Sequence, residues 1–162
     1  MVTLTLSEPW VYRAMHQGKR LELSELAHVD AHLHGGLRLD IGGRAVPGLG
    51  YWGPGDVCIG MWGRELYLVR QVLSTSADGR HVFDEGEQGQ PAYVFEKRGD
   101  TTVITLAASQ VDGEAVPEWQ EVPCSTTQLL AAIDGLLRDL RSLLDQAIPG
   151  SAADWWRRNI TR

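Results

Sequence analysis

Lysine is almost missing from this chain: Lys19 and Lys97 stand against thirteen arginines, and the fifteen cations are outnumbered by twenty-one acids, for a net charge of −6. That shortage argues against nucleic acid or an anionic membrane as the main partner, because both require clustered cations. Cysteine is as scarce. Cys58 and Cys124 are far apart and in no CxxC pairing, so they make no zinc site by themselves, and a chain of 162 residues needs no disulfide framework. No apolar run approaches the roughly 18 residues of a membrane span. The opening residues, Met1 to Pro9, have neither the basic nor the apolar stretch of a secretory leader, and the expected location is the cytoplasm. No cofactor is expected: Gly48-Leu49-Gly50-Tyr51-Trp52-Gly53 has GxGxxG spacing but stands in a segment that reads as loop rather than between a strand and a helix, and there is neither a GKS/T phosphate loop nor a GxSxG elbow.

What the sequence does contain is enough apolar material for a core. Size scaling gives a folded surface of roughly 8,000 Å² against roughly 26,000 Å² unfolded. The apolar fraction of 43% and charged fraction of 22% are those of an ordinary globular chain, expected to form one domain over residues 1–162.

Glycine marks where the chain turns. Fourteen of the eighteen glycines lie between Gly35 and Gly99, as an antiparallel meander requires. Val2 to Leu6 reads as a strand, followed by a short N-terminal helix capped by Ser7 and closed by Gly18, with Trp10 on its inner face. Ala27, Val29, Ala31 and Leu33 alternate with His28, Asp30, His32 and His34, giving a strand with one polar face. Gly35-Gly36 then reads as a hairpin turn into Leu37, Leu39 and Ile41, and Gly42-Gly43 as a second turn. Residues 47–63 read as a glycine-rich loop that exposes Trp52 and Trp62. Glu65 to Thr75 reads as a strand, and Asp78-Gly79 turns it into Arg80 to Phe83. The plainest hairpin joins Ala92 to Lys97 with Thr101 to Leu106 through Arg98-Gly99-Asp100.

The helical period returns at the end. Ser125-Thr126-Thr127-Gln128 fits a capping box. Leu129, Ile133, Leu136, Leu140 and Leu144 then form an apolar stripe, with Arg138, Asp139, Arg141 and Asp145 opposite it, until Pro149-Gly150. Ser151 to Asp154 fits a second box that opens a turn with Trp155 and Trp156. The fold class is α+β, an antiparallel β-meander packed against a long C-terminal amphipathic helix.

Three groups invite chemistry. Val29-Asp30-Ala31-His32-Leu33-His34-Gly35 resembles the DxHxH segment with which metal-dependent amidohydrolases place two ligands on a strand. Residues i and i+2 share a face there, so two imidazoles can converge on zinc. That family is a far longer (β/α)8 barrel with later ligands, and only His81 remains downstream here. A polar strand face without a metal is the simpler reading. Cys58 could pair with a histidine as a nucleophile, but its apolar neighbours Val57 and Ile59 suit an inert buried thiol. Asp84, Glu85 and Glu87 form the densest acidic group. They read either as a solvated connection or as a knob for a basic partner, with Trp52 or Trp62 as the aromatic anchor.

Phe83 to Pro91, the hairpin Tyr93 to Ile104 and the run Pro123-Cys124-Ser125 into the helix resemble the small immunity proteins encoded beside bacterial polymorphic toxins. The resemblance implies an acidic, strand-rich α+β domain that occludes the active site of a cognate toxin. Contact residues differ between such proteins, so no site transfers by position. A small metal-dependent hydrolase using Asp30, His32, His34 and His81, or an interaction module without a toxin, are the alternatives.

Overall fold

The computed structural model describes residues 1–162 except Tyr51, Ser76, Glu87 and Gln88. Among the described residues, two four-stranded antiparallel sheets and three α-helices make up the fold. The first sheet comprises β1 (Val2–Tyr12), β2 (His32–Ile41), β3 (Arg44–Ala45) and β4 (Val57–Cys58). β1 runs along one edge of β2, while β3 and β4 pair with opposite ends of its other edge. α1 (Ile59–Thr75) follows directly from β4. The second sheet is a simple meander of β5 (Arg80–Phe83), β6 (Ala92–Arg98), β7 (Thr101–Ala107) and β8 (Val122–Ser125). β8 feeds α2 (Thr126–Ala147), and α3 (Ala152–Asn159) closes the chain.

α2 forms as its period demands. Leu129, Ile133, Leu136, Leu140 and Leu144 are all buried, against β1 and α1. Ser125 Oγ accepts the backbone N–H of Gln128 at 3.4 Å, which satisfies one orphan donor of the first turn. Thr102 and Thr126 share a buried hydroxyl hydrogen bond of 2.8 Å that locks the helix start to β7. The hairpin β6–β7 pairs Arg98 with Thr101 around Gly99, which sits at φ +63°. α3 starts where Ser151 indicates, though no Ser151 side-chain cap is made.

Three local expectations are corrected. No α-helix follows Leu6: β1 continues to Tyr12, and the short helix is reduced to a single 3-10 turn at Ala14–His16. Two residues, Glu8 and Pro9, stand opposite the single Gly35, a β-bulge with Glu8 at φ +44°. The bulge absorbs a proline that cannot donate to the ladder. Gly35-Gly36 is not a turn either, since β2 runs straight through it. A Cβ on Gly35 would lie 3.0 Å from the Ser7 carbonyl oxygen and one on Gly36 would collide with Ser7 Oγ, so the glycines serve close strand approach. The two-residue turn is Gly42-Gly43, at φ +60° and +84°. Ala27 to Asp30 lie in a 3-10 turn and bend rather than in a strand.

The largest correction concerns Glu65 to Thr75, which is helix, not strand. Ile59, Trp62, Leu66, Val69 and Leu73 are buried at i, i+3, i+7, i+10 and i+14, the helical period. The stripe begins inside the segment read as loop, and the window from Glu65 onward is too short to separate the two periods. Trp62 therefore lies in the core at 1% exposure, not in a loop. Its Nε1–H donates to the Leu49 carbonyl at 2.7 Å, and its ring meets Phe83 and Tyr93 edge-on, both at 4.9 Å.

Candidate functional site

Residues paired across neighbouring strands project to one face, so register decides which side chains meet. β1, β2 and β4 align Trp10, His34 and Cys58 in one row, with Tyr12 beside His32. This row floors a cleft of about 500 Å³, whose rim is Trp52 and whose walls include Asp56, Met61 and Glu85. Trp52 is 78% exposed, as its glycine-rich surroundings predict.

His34 is the best-fixed group in the cleft. Its Nδ1 lies 2.6 Å from Asp56 Oδ1, and its ring packs 4.9 Å from Trp10 and 5.7 Å from Tyr12. Trp10 Nε1–H donates to the Gly55 carbonyl at 3.2 Å, which ties the loop carrying Asp56 to β1. The Arg20 guanidinium stacks over Trp10, 4.9 Å from the ring centroid. The aromatic wall therefore already carries a cation, as the ring quadrupole favours.

Cys58, His34 and Asp56 contain the residue types of a thiol nucleophile with an oriented base. The thiol is poorly prepared for that role. Burial pushes its pKa up, and the charges of Glu85 and Asp56 push the same way, against the lowering effect of the Met61 and Gly60 backbone N–H groups. At neutral pH the group is a protonated thiol. Burial, seconded by Glu85, also raises Tyr93, keeping its phenol neutral.

The acidic loop divides. Asp84 is used within the fold: its carboxylate accepts the N–H of Gly86 at 3.2 Å and of Gln110 at 2.8 Å, pinning the loop to the segment after β7. Glu85 turns into the cleft. Glu87 lies outside the described residues. Of the two tryptophans expected as anchors, Trp52 is on the rim and Trp62 is inaccessible.

The DxHxH segment does not gather ligands. Asp30 is bound by Arg13 at 3.2 Å, and that guanidinium holds its carboxyl below the usual range. His81 pairs with Glu65 at 2.8 Å, between β5 and α1. Among the described residues no three His, Cys, Asp or Glu side chains form a metal-holding group. No helix among them is long and apolar enough to cross a membrane.

Sequence reasoning missed Asp56, Tyr12 and the inward position of Glu85. Asp56 meets His34 only through the β2–β4 pairing, a contact across 22 positions that no local pattern announces. Neither a family model, nor a curated protein, nor a solved structure matches this chain.

Proposed function

We propose that this chain is an acidic protein-binding domain of the immunity type, acting in the cytoplasm by binding a basic cognate toxin and occluding its active site. The observation that carries the reading is Trp52, a large aromatic 78% exposed at the mouth of a cleft that also holds Asp56 and Glu85. Exposed aromatics beside a concave surface are typical binding anchors, and a handful of such residues supplies most of the energy of an interface. The net charge of −6 supports a cationic partner drawn in by long-range attraction. Arg20 stacked on Trp10 supports the same chemistry, a guanidinium drawn to an aromatic wall of the cleft.

A standard interface would cover about 800 Å² of this partner, roughly a tenth of its 8508 Å² surface. The cleft and its rim form the centre of such a patch. In this reading the chain uses no cofactor, metal or catalytic residue, and neither nucleic acid nor membrane is its target.

The test is co-expression with the product of the adjacent gene. Growth arrest by that product, relieved by this chain and not by its Trp52→Ala variant, is the expected result. Arrest that the intact chain fails to relieve, with no complex on mixing the purified proteins, would remove the immunity reading. Binding without relief would leave an interaction module.

A further inference from the structure

The hydrogen bonds of β2 decide which way the backbone of β1 points. The Leu39 carbonyl accepts the Val46 N–H at 2.8 Å, on the side away from β1. β1 aligns Leu4 with Leu39, Val2 with Ile41 and Leu6 with Leu37. Residues directly opposed in an antiparallel ladder either exchange both main-chain bonds or turn both sets away. Val2, Leu4 and Leu6 therefore aim their N–H and C=O groups out of the sheet. The alternate row turns inward, and it starts at Met1, whose carbonyl accepts the Gly42 N–H at 2.9 Å. Among the described residues nothing bonds the outward row; the one segment on this edge is at Leu21, which pairs with Val11 beyond the bulge.

Open edges are normally blunted by charge, proline, a bulge or shortness. The two edges of the second sheet follow that rule: β5 is four residues long and carries Arg80, and β8 is as short and carries Pro123. β1 does not. Val2-Thr3-Leu4-Thr5-Leu6 has no charge and no proline, and Pro9 with its bulge comes only after it. A second observation concerns packing. Opposed residues share a face of the sheet. On β2, Leu37, Leu39 and Ile41 are buried, at 5%, 1% and 3% exposure, whereas Leu6, Leu4 and Val2 across from them are only half-buried. The apolar row is closed on β2 and left ajar on β1.

We propose that a second copy of this chain pairs with this edge, β1 against β1, around a two-fold axis at Leu4. Of the possible registers this one alone matches every outward residue with another: Leu4 meets Leu4 of the copy, and Val2 meets its Leu6. The sheets then continue into one another, and an identical row extends the half-buried one on the same face. Thr3 stands opposite Thr5 of the copy on the other face. Charge fits as well. Arg38 is aligned with Thr5 and Asp40 with Thr3, so a row with Arg38 on one side of the seam has Asp40 on the other. The strand from Val2 to Ser7 has no carboxylate to draw a cationic partner, which favours self-pairing there. None of these residues lines the cleft, so each copy keeps its own, and the pairing stands apart from the partner assignment above. A seam this short makes a small interface, and hence a dimer that depends on concentration.

Sedimentation equilibrium of the full chain, from about 10 μM to about 1 mM, should show a reversible monomer–dimer equilibrium. Amide hydrogen exchange locates the seam. Leu4 and Leu6 should exchange freely in dilute samples and become protected on concentration, while Thr3 and Thr5 are protected throughout. Thr3→Lys with Thr5→Lys sets like charges opposite each other across the seam and should weaken the dimer at least about tenfold. Thr3→Glu with Thr5→Glu should do the same, and an equimolar mixture of the two variants should restore a dimer. Both threonines are exposed, so unchanged melting temperatures in dilute samples show that the variants fold. A monomer at every concentration overturns the proposal, as does a dimer that both charged variants retain. Protection of Leu4 and Leu6 that appears only on adding the product of the adjacent gene assigns the edge to that partner and likewise overturns it.

Discussion

His34 and Asp56 lie 2.6 Å apart through Nδ1 and Oδ1, and this bond fastens the loop before β4 to the polar face of β2. Both side chains are partly screened, at 17% and 30% exposure. Asp56→Asn preserves shape and removes the charge. The expected loss is about 1 kcal/mol, below the 1.5–3 of a fully enclosed charged hydrogen bond because solvent reaches the pair. Urea unfolding measures it, and an unchanged midpoint would make the pair incidental to the fold.

The two tryptophans once indistinguishable by context separate cleanly by variant. Trp62→Ala removes a ring enclosed by Phe83 and Tyr93 and should cost about 3–5 kcal/mol. Trp52→Ala should change stability by less than about 0.5 kcal/mol while weakening partner binding by about 2 kcal/mol or more. Melting curves and a binding titration on the same samples decide it. Equal thermal losses would contradict the burial assignment.

In α2, Leu140 is fully buried and Arg138 faces solvent. Leu140→Asp buries an unpaired carboxylate and should abolish cooperative unfolding, whereas Arg138→Ala should stay within about 0.5 kcal/mol. Circular dichroism melts of the two variants check this directly, and similar curves would refute the assigned helix face.

The thiols make a prediction about alkali. Burial raises Cys124 from 9.0 to about 11, and Cys58 moves in the same direction. A raised folded-state pKa means that the unfolded chain releases its proton first. Their contribution to stability is therefore whole below about pH 9 and lost as pH climbs through about 11. Cys124→Ala should flatten the decline in urea midpoint between those values. Iodoacetamide at pH 8 should modify both cysteines more slowly than a free thiol. Rapid selective alkylation of Cys58 would instead reveal an activated nucleophile.

The sequence by itself determined those elements whose signal is local and complete. The stripe from Leu129 to Leu144, the Ser125 cap, the β6–β7 hairpin around Gly99 and the α+β class all follow from periods and turn chemistry contained in one window. Tertiary structure decided the rest. α1 was hidden because its stripe starts at Ile59 and Trp62, among glycines that read as loop, and only packing against Phe83, Tyr93 and α2 selects the helix. Gly35-Gly36 became strand because β1 needed to approach β2 closely at Ser7. The cleft belongs to this second class. Trp10, His34 and Cys58 meet through strand register, so their chemistry depends on pairings between distant segments that residue order does not encode locally.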